Sequence, residues 1–574
     1  MVYVSRDVPT MYLSYDTMVS LGIVNKDFPK IGQFPSNIEP TNSTANDSSG
    51  KICGATLGDG NACACPKRGP VPPLPTALPF TCTPENNGKM REWLLQHYGS
   101  STFNTCPHQE LPSMTGPPVE IHLKDGAIPV ARHKAIPVPV HWQEQVHSDL
   151  LRDEMLGVIE RVPFGEPVEW CHRMVVTRKH DGSRRRTVDL SPLNKHCKRE
   201  THNSESPFHL ARRIPRNTWK TVADAWNGYH SVPLRESDRH LTTFVTPFGR
   251  WRYTRAPQGF LSSGDGYNRR FDAILAEFDR KERIVDDTLF YDNELELHWW
   301  RTLEFLSTVG QASIVLNPAK FQFASRDVDF AGFRITDERI DPHPKFYSAI
   351  RDFPTPSCTS DIRSWFGMVN QVANYGQLRE YMEPFRPFLS LRHPFEWTTE
   401  LDKSFQSSKT AIINAIREGV EIFDLDKPTC LRTDWSKKGV GYFLLQKHCH
   451  CKDTRPDCCT DGWRMTLAGS RFLTLAEQHY APIEGEALAI TWGLEQTKFF
   501  TLGCHQLLIA TDHKPLIKVF GDRTLNEIPN TRLFRLKQRT LPWHFQIIHL
   551  PGIAQTCCFG CTSFRSSRGF YDGS

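Results

Sequence analysis

The stretch Ile284-Val285-Asp286-Asp287-Thr288-Leu289-Phe290-Tyr291 sets two adjacent carboxylates between two apolar, β-prone runs. Such a segment reads as a hairpin whose tight turn holds both acids. Like charges held side by side out of water are costly unless a cation sits between them. The chain must therefore either expose this turn to solvent or build a metal-binding corner around it. A solvated Asp-Asp turn is the plain alternative for an isolated pair, but this pair is not isolated. Thr221-Val222-Ala223-Asp224-Ala225-Trp226-Asn227-Gly228-Tyr229-His230 puts another acid, Asp224, at the end of a strand, followed by a turn and an aromatic. Ala256-Pro257-Gln258-Gly259-Phe260-Leu261 lies between the two.

Phosphoryl transfer to a sugar hydroxyl uses two divalent cations about 3.5–4 Å apart, flanked by carboxylates on rigid elements. Magnesium favours a few carboxylates together with the substrate's own phosphates. The order of strand acid, Pro-Gln-Gly loop and x-Val-Asp-Asp hairpin resembles the reverse transcriptases of gypsy-type LTR retrotransposons. The resemblance implies an RNA- and DNA-directed DNA polymerase with a right-hand fold of fingers, palm and thumb. It makes Asp224, Asp286 and Asp287 the ligands of two Mg²⁺ ions. Tyr229 matches the aromatic that closes under the sugar, and Gln258 the residue lining the nucleotide pocket. Lys179 and Arg185, on a basic hairpin turning at His180-Asp181-Gly182-Ser183, match the pair that holds the incoming triphosphate. Without the other motifs, Arg184-Arg185-Arg186 would read equally well as a solvated basic face. Phe330-Ala331-Gly332-Phe333 matches the turn that grips the primer through Phe330, Gly332 and Phe333, and Asn317-Pro318-Ala319-Lys320 a late palm segment. Ile284 departs from the pattern, since most relatives carry Tyr there.

A second set of acids follows. Leu431-Arg432-Thr433-Asp434 ends a strand with an acid, and Leu508-Ile509-Ala510-Thr511-Asp512 does so again. Between them a helix expected from Glu477 onward places Ile483, Ala487, Ile490 and Leu494 on one face and carries Glu484 and Glu486. This arrangement resembles the RNase H domain of the same elements, with Asp434, Glu486 and Asp512 as ligands of a second Mg²⁺ pair. Glu486 is preferred because Glu-Ala-Leu-Ala follows from it. Relatives carry a fourth acid where Gly560 stands, so the resemblance implies a weaker second cation in the nuclease.

At 574 residues the chain is too long for one core. The fold class expected is α+β multidomain, a right-hand polymerase followed by an RNase H-like α/β domain. The boundaries expected are 1–40, faintly resembling the end of the elements' aspartic protease; 41–115, a proline-rich, largely flexible linker; and 116–345, fingers and palm. Residues 346–425 follow as a helical thumb and connection, 426–565 as the RNase H-like domain and 566–574 as a tail. No Asp-Thr-Gly or Asp-Ser-Gly triplet occurs, so protease activity is not expected, nor is an integrase segment. The formal charge is only +5, so local patches rather than overall basicity must attract nucleic acid. The partners expected are RNA template, DNA primer, RNA–DNA hybrid and dNTPs, with no membrane. No long apolar run or signal core is present, and the expected location is a cytoplasmic retroelement particle.

In such a reducing compartment the 17 cysteines read as thiols or metal ligands. Cys449, Cys451, Cys458 and Cys459 offer four thiolates to a tetrahedral Zn²⁺ site, with free loop thiols as the alternative. Cys53, Cys63 and Cys65 offer a weaker metal set, with free thiols as the main reading. The alternative reading of the whole chain is a catalytically inactive, truncated relic that only binds nucleic acid.

Overall fold

The computed structural model describes residues 67–551 except 107, 179–183, 391 and 392. The chain divides into two units, 1–57 and 58–574, and every described residue lies in the second. The expectations for residues 1–40, Cys53, Cys63, Cys65, Lys179, Gly560 and the tail lie outside the described residues. Among the described residues no helix is long and apolar enough to cross a membrane.

The first described segment corrects the linker expectation. Helix α1 (Asn87–His97) buries Met90 and Leu94, and Tyr98, Phe103, Leu111 and Met114 follow it into the core. Prolines dominate the composition before residue 80, but these apolar residues give the segment something to bury. The Arg68 guanidinium ties it together by donating to the carbonyls of Glu110, Ser101 and Phe103.

Helix α2 (Gln143–Met155) then leads into a five-stranded sheet. Its strands are β1 (Ile159–Arg161), β2 (His172–Arg178), β3 (Arg184–Val188), β5 (Phe244–Thr246) and β6 (Gly249–Tyr253), in the order β1-β6-β5-β2-β3. A second sheet has the order β7-β8-β4-β9, built from β4 (Trp219–Asp224), β7 (Lys281–Ile284), β8 (Asp287–Asp292) and β9 (Gln322–Ser325). Helices α3 (Ser263–Ile274) and α4 (Leu295–Gln311) belong to the same region. Phe271, Leu303, Phe305 and Leu306 from them join Phe290 of β8 in one core. Helix α1 closes this core from a distance in sequence: Tyr98 Oη donates to Leu303 O, Trp299 Nε1 to Asn87 Oδ1, and Asn87 Nδ2 to Ala324 O.

A third, small sheet runs β10 (Val328–Phe330), β11 (Phe333–Ile335), β12 (Arg339–Pro342) and β13 (Val420–Glu421). Between its last two strands lie helices α5 (Pro344–Arg351), α6 (Thr359–Gln371) and α7 (Thr399–Ile416) around Trp365, Phe385 and Phe405. The last sheet has the order β16-β15-β14-β17-β18. It comprises β14 (Thr429–Trp435), β15 (Gly439–Lys447), β16 (Trp463–Phe472), β17 (Leu507–Thr511) and β18 (Gln546–His549), with α8 (Pro482–Gln496) and α9 (Thr531–Thr540). Helix α8 starts at Pro482 rather than at Glu477, because proline's fixed φ and missing N–H suit the first helical position.

The segment leading into β4 and the last sheet are in direct contact. Buried Arg212 stacks on Phe208 and donates to Thr466 O of β16. Glu421 of β13 accepts from Arg216 at 2.8 Å and from Arg464 of β16 at 3.1 Å.

Candidate active sites

The register of the second sheet brings the first three acids together. Strands β4 and β8 pair antiparallel with Asp224 opposite Asp287. Ile284 pairs with Asp287 across a two-residue turn, Val285-Asp286, so Asp286 stands at the tip. Val285 holds a φ of +51°, where a β-branched residue costs roughly 1–3 kcal/mol. The turn is pinned by Ala225 N donating to Asp286 O at 2.9 Å. Behind it, His298 of α4 bridges the strands: its ring meets Thr221 Oγ1 of β4 and Asp292 of β8, each at 2.8 Å, and Arg301 donates to the same Asp292. This buried network fixes the pitch of both acid-bearing strands. Nothing in the local pattern around His298 signals it from sequence.

Close packing at the acids requires a glycine. A Cβ on Gly228 would stand 2.2 Å from Asp286 Oδ1 and 2.8 Å from Tyr267 Cζ. Asp286 Oδ1 is buried without a hydrogen-bond partner. Burial, and next the Asp224 carboxylate, push Asp286 and Asp287 up to about 6. Lys320, from the Asn-Pro-Ala-Lys segment, ion-pairs with Asp224 at 2.7 Å. Crowded carboxylates that resist ionisation, one with an orphaned oxygen, are what a divalent cation satisfies.

Around this corner, Tyr229 packs edge-on against Tyr267 at 5.5 Å between ring centroids. Gln258 is exposed in a loop held by Asn194, which donates to Gly259 O at 2.8 Å and accepts from Leu261 N at 3.0 Å. Asn194 is a positioning residue that the sequence reading missed. Arg185 on β3 is exposed, whereas Arg184 and Arg186 are ion-paired with Asp149 and Asp153 of α2. The basic run is thus split by strand alternation into two anchors and one outward cation. Phe330 and Phe333 pair across the turn Ala331-Gly332, whose φ values are +54° and +87°. Phe330 is buried with Val222 and Leu289, so its ring belongs to the core beneath the turn.

The second set converges too. β14 and β17 are parallel with Arg432 opposite Ala510, which carries Asp434 and Asp512 out at the same edge. Burial and then Asp512 push Asp434 up to about 6, and Glu380, between α6 and α7, adds to the effect. Burial, then Asp434 and Asp512, push Glu486 up to about 9, and its Oε2 is buried without a hydrogen-bond partner. Glu484 is engaged elsewhere, accepting from Ala481 N, Asn530 and Arg532.

Residues 177–335 match the family model of the reverse transcriptase (RNA-dependent DNA polymerase), and residues 424–539 that of the RNase H-like domain found in reverse transcriptase. The chain is 27% identical over 440 residues to the retrovirus-related Pol polyprotein from transposon opus of Drosophila melanogaster, covering 73% of this chain and 42% of the relative. It is 25% identical over 397 residues to that from transposon gypsy of the same fly, covering 66% of this chain and 36% of the relative. The chain thus spans less than half the length of these relatives. Among solved structures, a foamy viral protease-reverse transcriptase in complex with an RNA/DNA hybrid superposes with a TM-score of 0.67 at 18% identity, covering 82% of this chain and 62% of that one. That likeness concerns the fold.

Proposed function

We propose that this chain, which matches a reverse transcriptase family model followed by an RNase H-like one and resembles retrovirus-related Pol polyproteins, extends a DNA primer on RNA and DNA templates and cleaves RNA in the resulting hybrid. The observation that carries the polymerase half is the convergence of Asp224, Asp286 and Asp287 at one strand-end corner. Their crowding fits divalent cations, so Asp224, Asp286 and Asp287 would hold Mg²⁺ at the polymerase site. Asp434, Glu486 and Asp512 would do so at the nuclease. When bound, the ions supply activation of the attacking hydroxyl and stabilisation of the developing phosphate charge.

The remaining work falls to the chain's own residues. Arg185 and Lys179 bind the triphosphate of the incoming dNTP, Arg through forked donors and Lys as a compact charge. Tyr229 closes under its sugar, so a 2′-hydroxyl is refused by contact with the ring. Gln258 lines the pocket on a loop whose position Asn194 sets. The Ala331-Gly332 turn orients the primer end, with Phe330 as its buried root. Binding of primer–template and of hybrid rests on phosphate contacts and weakens steeply with salt. The location proposed is a cytoplasmic retroelement particle.

Purified protein should incorporate dNTPs on an RNA template primed with DNA, in a Mg²⁺-dependent manner. Asp286→Asn should reduce incorporation by about 100-fold or more, as expected when a pre-organised charge at the reacting centre is lost. Incorporation by Asp286→Asn at the parent rate would overturn the assignment. Hybrid binding with no incorporation by the parent protein would instead favour the inactive relic. Release of labelled RNA from a hybrid, lost in Asp434→Asn, tests the nuclease half in the same tube.

A further inference from the structure

Strand β15 ends at Lys447 and β16 begins at Trp463, and the fifteen-residue connection between them carries four of the protein's cysteines. Their ligand atoms lie close enough together to share one metal ion. The sulfurs of Cys449, Cys451, Cys458 and Cys459 all lie within 4.8 Å of one another, with Cys449 to Cys458 at 3.5 Å and Cys458 to Cys459 at 3.9 Å. A zinc ion with Zn–S bonds near 2.3 Å sets its four sulfurs ~3.8 Å apart, at the corners of a tetrahedron. The thiols therefore already stand at about the edge length of such a site.

The loop backbone is arranged around this cluster. His448 N and Cys449 N both donate to Gly462 O, at 2.7 and 3.3 Å, which closes the neck of the loop. A Cβ on residue 462 would stand 2.4 Å from Cys459 Sγ and 2.7 Å from Cys449 Sγ, so only glycine lets the neck approach the sulfurs. Arg455 O accepts from both Cys458 N and Trp463 Nε1 at 3.1 Å, which fixes the turn that presents the adjacent pair. The Lys447 ammonium donates to Cys451 O and to Asp453 O, placing positive charge beside a cluster that four thiolates would leave negative around a divalent ion.

We propose that Cys449, Cys451, Cys458 and Cys459 bind one zinc ion as a structural site that closes the loop between β15 and β16. The site is remote from the nuclease acids. Register pairs Gln446 with Thr429 and Gly441 with Asp434, so the loop leaves the sheet at the opposite end of β14 from Asp434. Five residue steps of strand separate the two ends, ~17 Å. With all four positions filled by protein sulfur, the ion has no place for water, as in closed structural sites. The proposal does not depend on either catalytic activity.

The full chain, purified under reducing conditions and dialysed against a weak chelator, should retain one zinc per molecule by elemental analysis. The paired substitution Cys449→Ser/Cys458→Ser should remove it, while Cys358→Ser, at an exposed cysteine outside the cluster, should retain it. Cobalt in place of zinc should give the sulfur-to-metal charge-transfer absorption of a tetrahedral thiolate site, a readout that holds even if the double variant fails to fold. Zinc retained by a folded Cys449→Ser/Cys458→Ser protein would place the metal elsewhere and overturn the proposal. So would parent protein without zinc whose loop thiols react freely or are joined as a disulfide, or cobalt-loaded parent without the charge-transfer band.

Discussion

Gly228 shows how little room the polymerase corner leaves. Replacing its hydrogen by a methyl puts a carbon against Asp286 Oδ1 and the Tyr267 ring, and the acid is the softer of the two obstacles. Gly228→Ala should therefore fold, keep its RNA-cleaving activity and lose nucleotide incorporation by about 100-fold, since an ångström of misplacement at a reacting centre is that costly. Primer extension and hybrid cleavage on the same preparation check both halves. Glu282 of β7, by contrast, bears on stability. Burial, opposed by Arg213 3.7 Å away, raises its carboxyl from the ordinary 4.5 to about 7. The folded state favours the neutral form, so the contribution is present in full below pH 4.5 and lost as the pH rises through about 7. Glu282→Gln should match the parent at low pH and exceed it at pH 8 by on the order of 1–3 kcal/mol, measured by urea unfolding at both pH values. That acids stand at strand ends was legible in the sequence, because the apolar runs before Asp224, Asp434 and Asp512 mark the strands. Gly228, Asn194 and His298 were not legible, because a close approach, a loop tether and a buried bridge are set by partners 39 to 77 positions away.

At the level of elements, the alternation of strands and helices was readable wherever side-chain period and punctuation agreed. The basic hairpin, the Asp-Asp hairpin and the strands carrying Asp434 and Asp512 all fall where the apolar patterns put them. Helix α1 was missed because its neighbourhood is dominated by prolines and its own mix of Lys, Arg, Glu, Gln and apolar residues gives a weak amphipathic pattern. Its anchoring comes from long-range partners instead. Leu94 is fully buried, and Leu94→Ala should cost about 2–5 kcal/mol through lost transfer energy and a residual cavity. A lowered urea midpoint with unchanged slope would register it.

Across the molecule, the reverse transcriptase and RNase H-like domains are joined by partly buried polar contacts. Glu421 accepts from Arg216 on one side and Arg464 on the other and is only 6% exposed. Glu421→Ala leaves two guanidinium groups without their shared carboxylate, at a cost on the order of 1–3 kcal/mol. Calorimetry should then show the unfolding of the two domains moving apart in temperature, with primer extension retained at low temperature. The contacts of α1 carry a further consequence, one of timing. Asn87 and Tyr98 bond to residues 237 and 205 positions downstream. At translation rates of roughly 5–20 residues per second, the helix waits ten seconds or more for the surface it covers, with Met90 and Leu94 open to other partners. A polymerase begun at residue 116 by design would never receive that cover, and the apolar side of α4 would be left to aggregate.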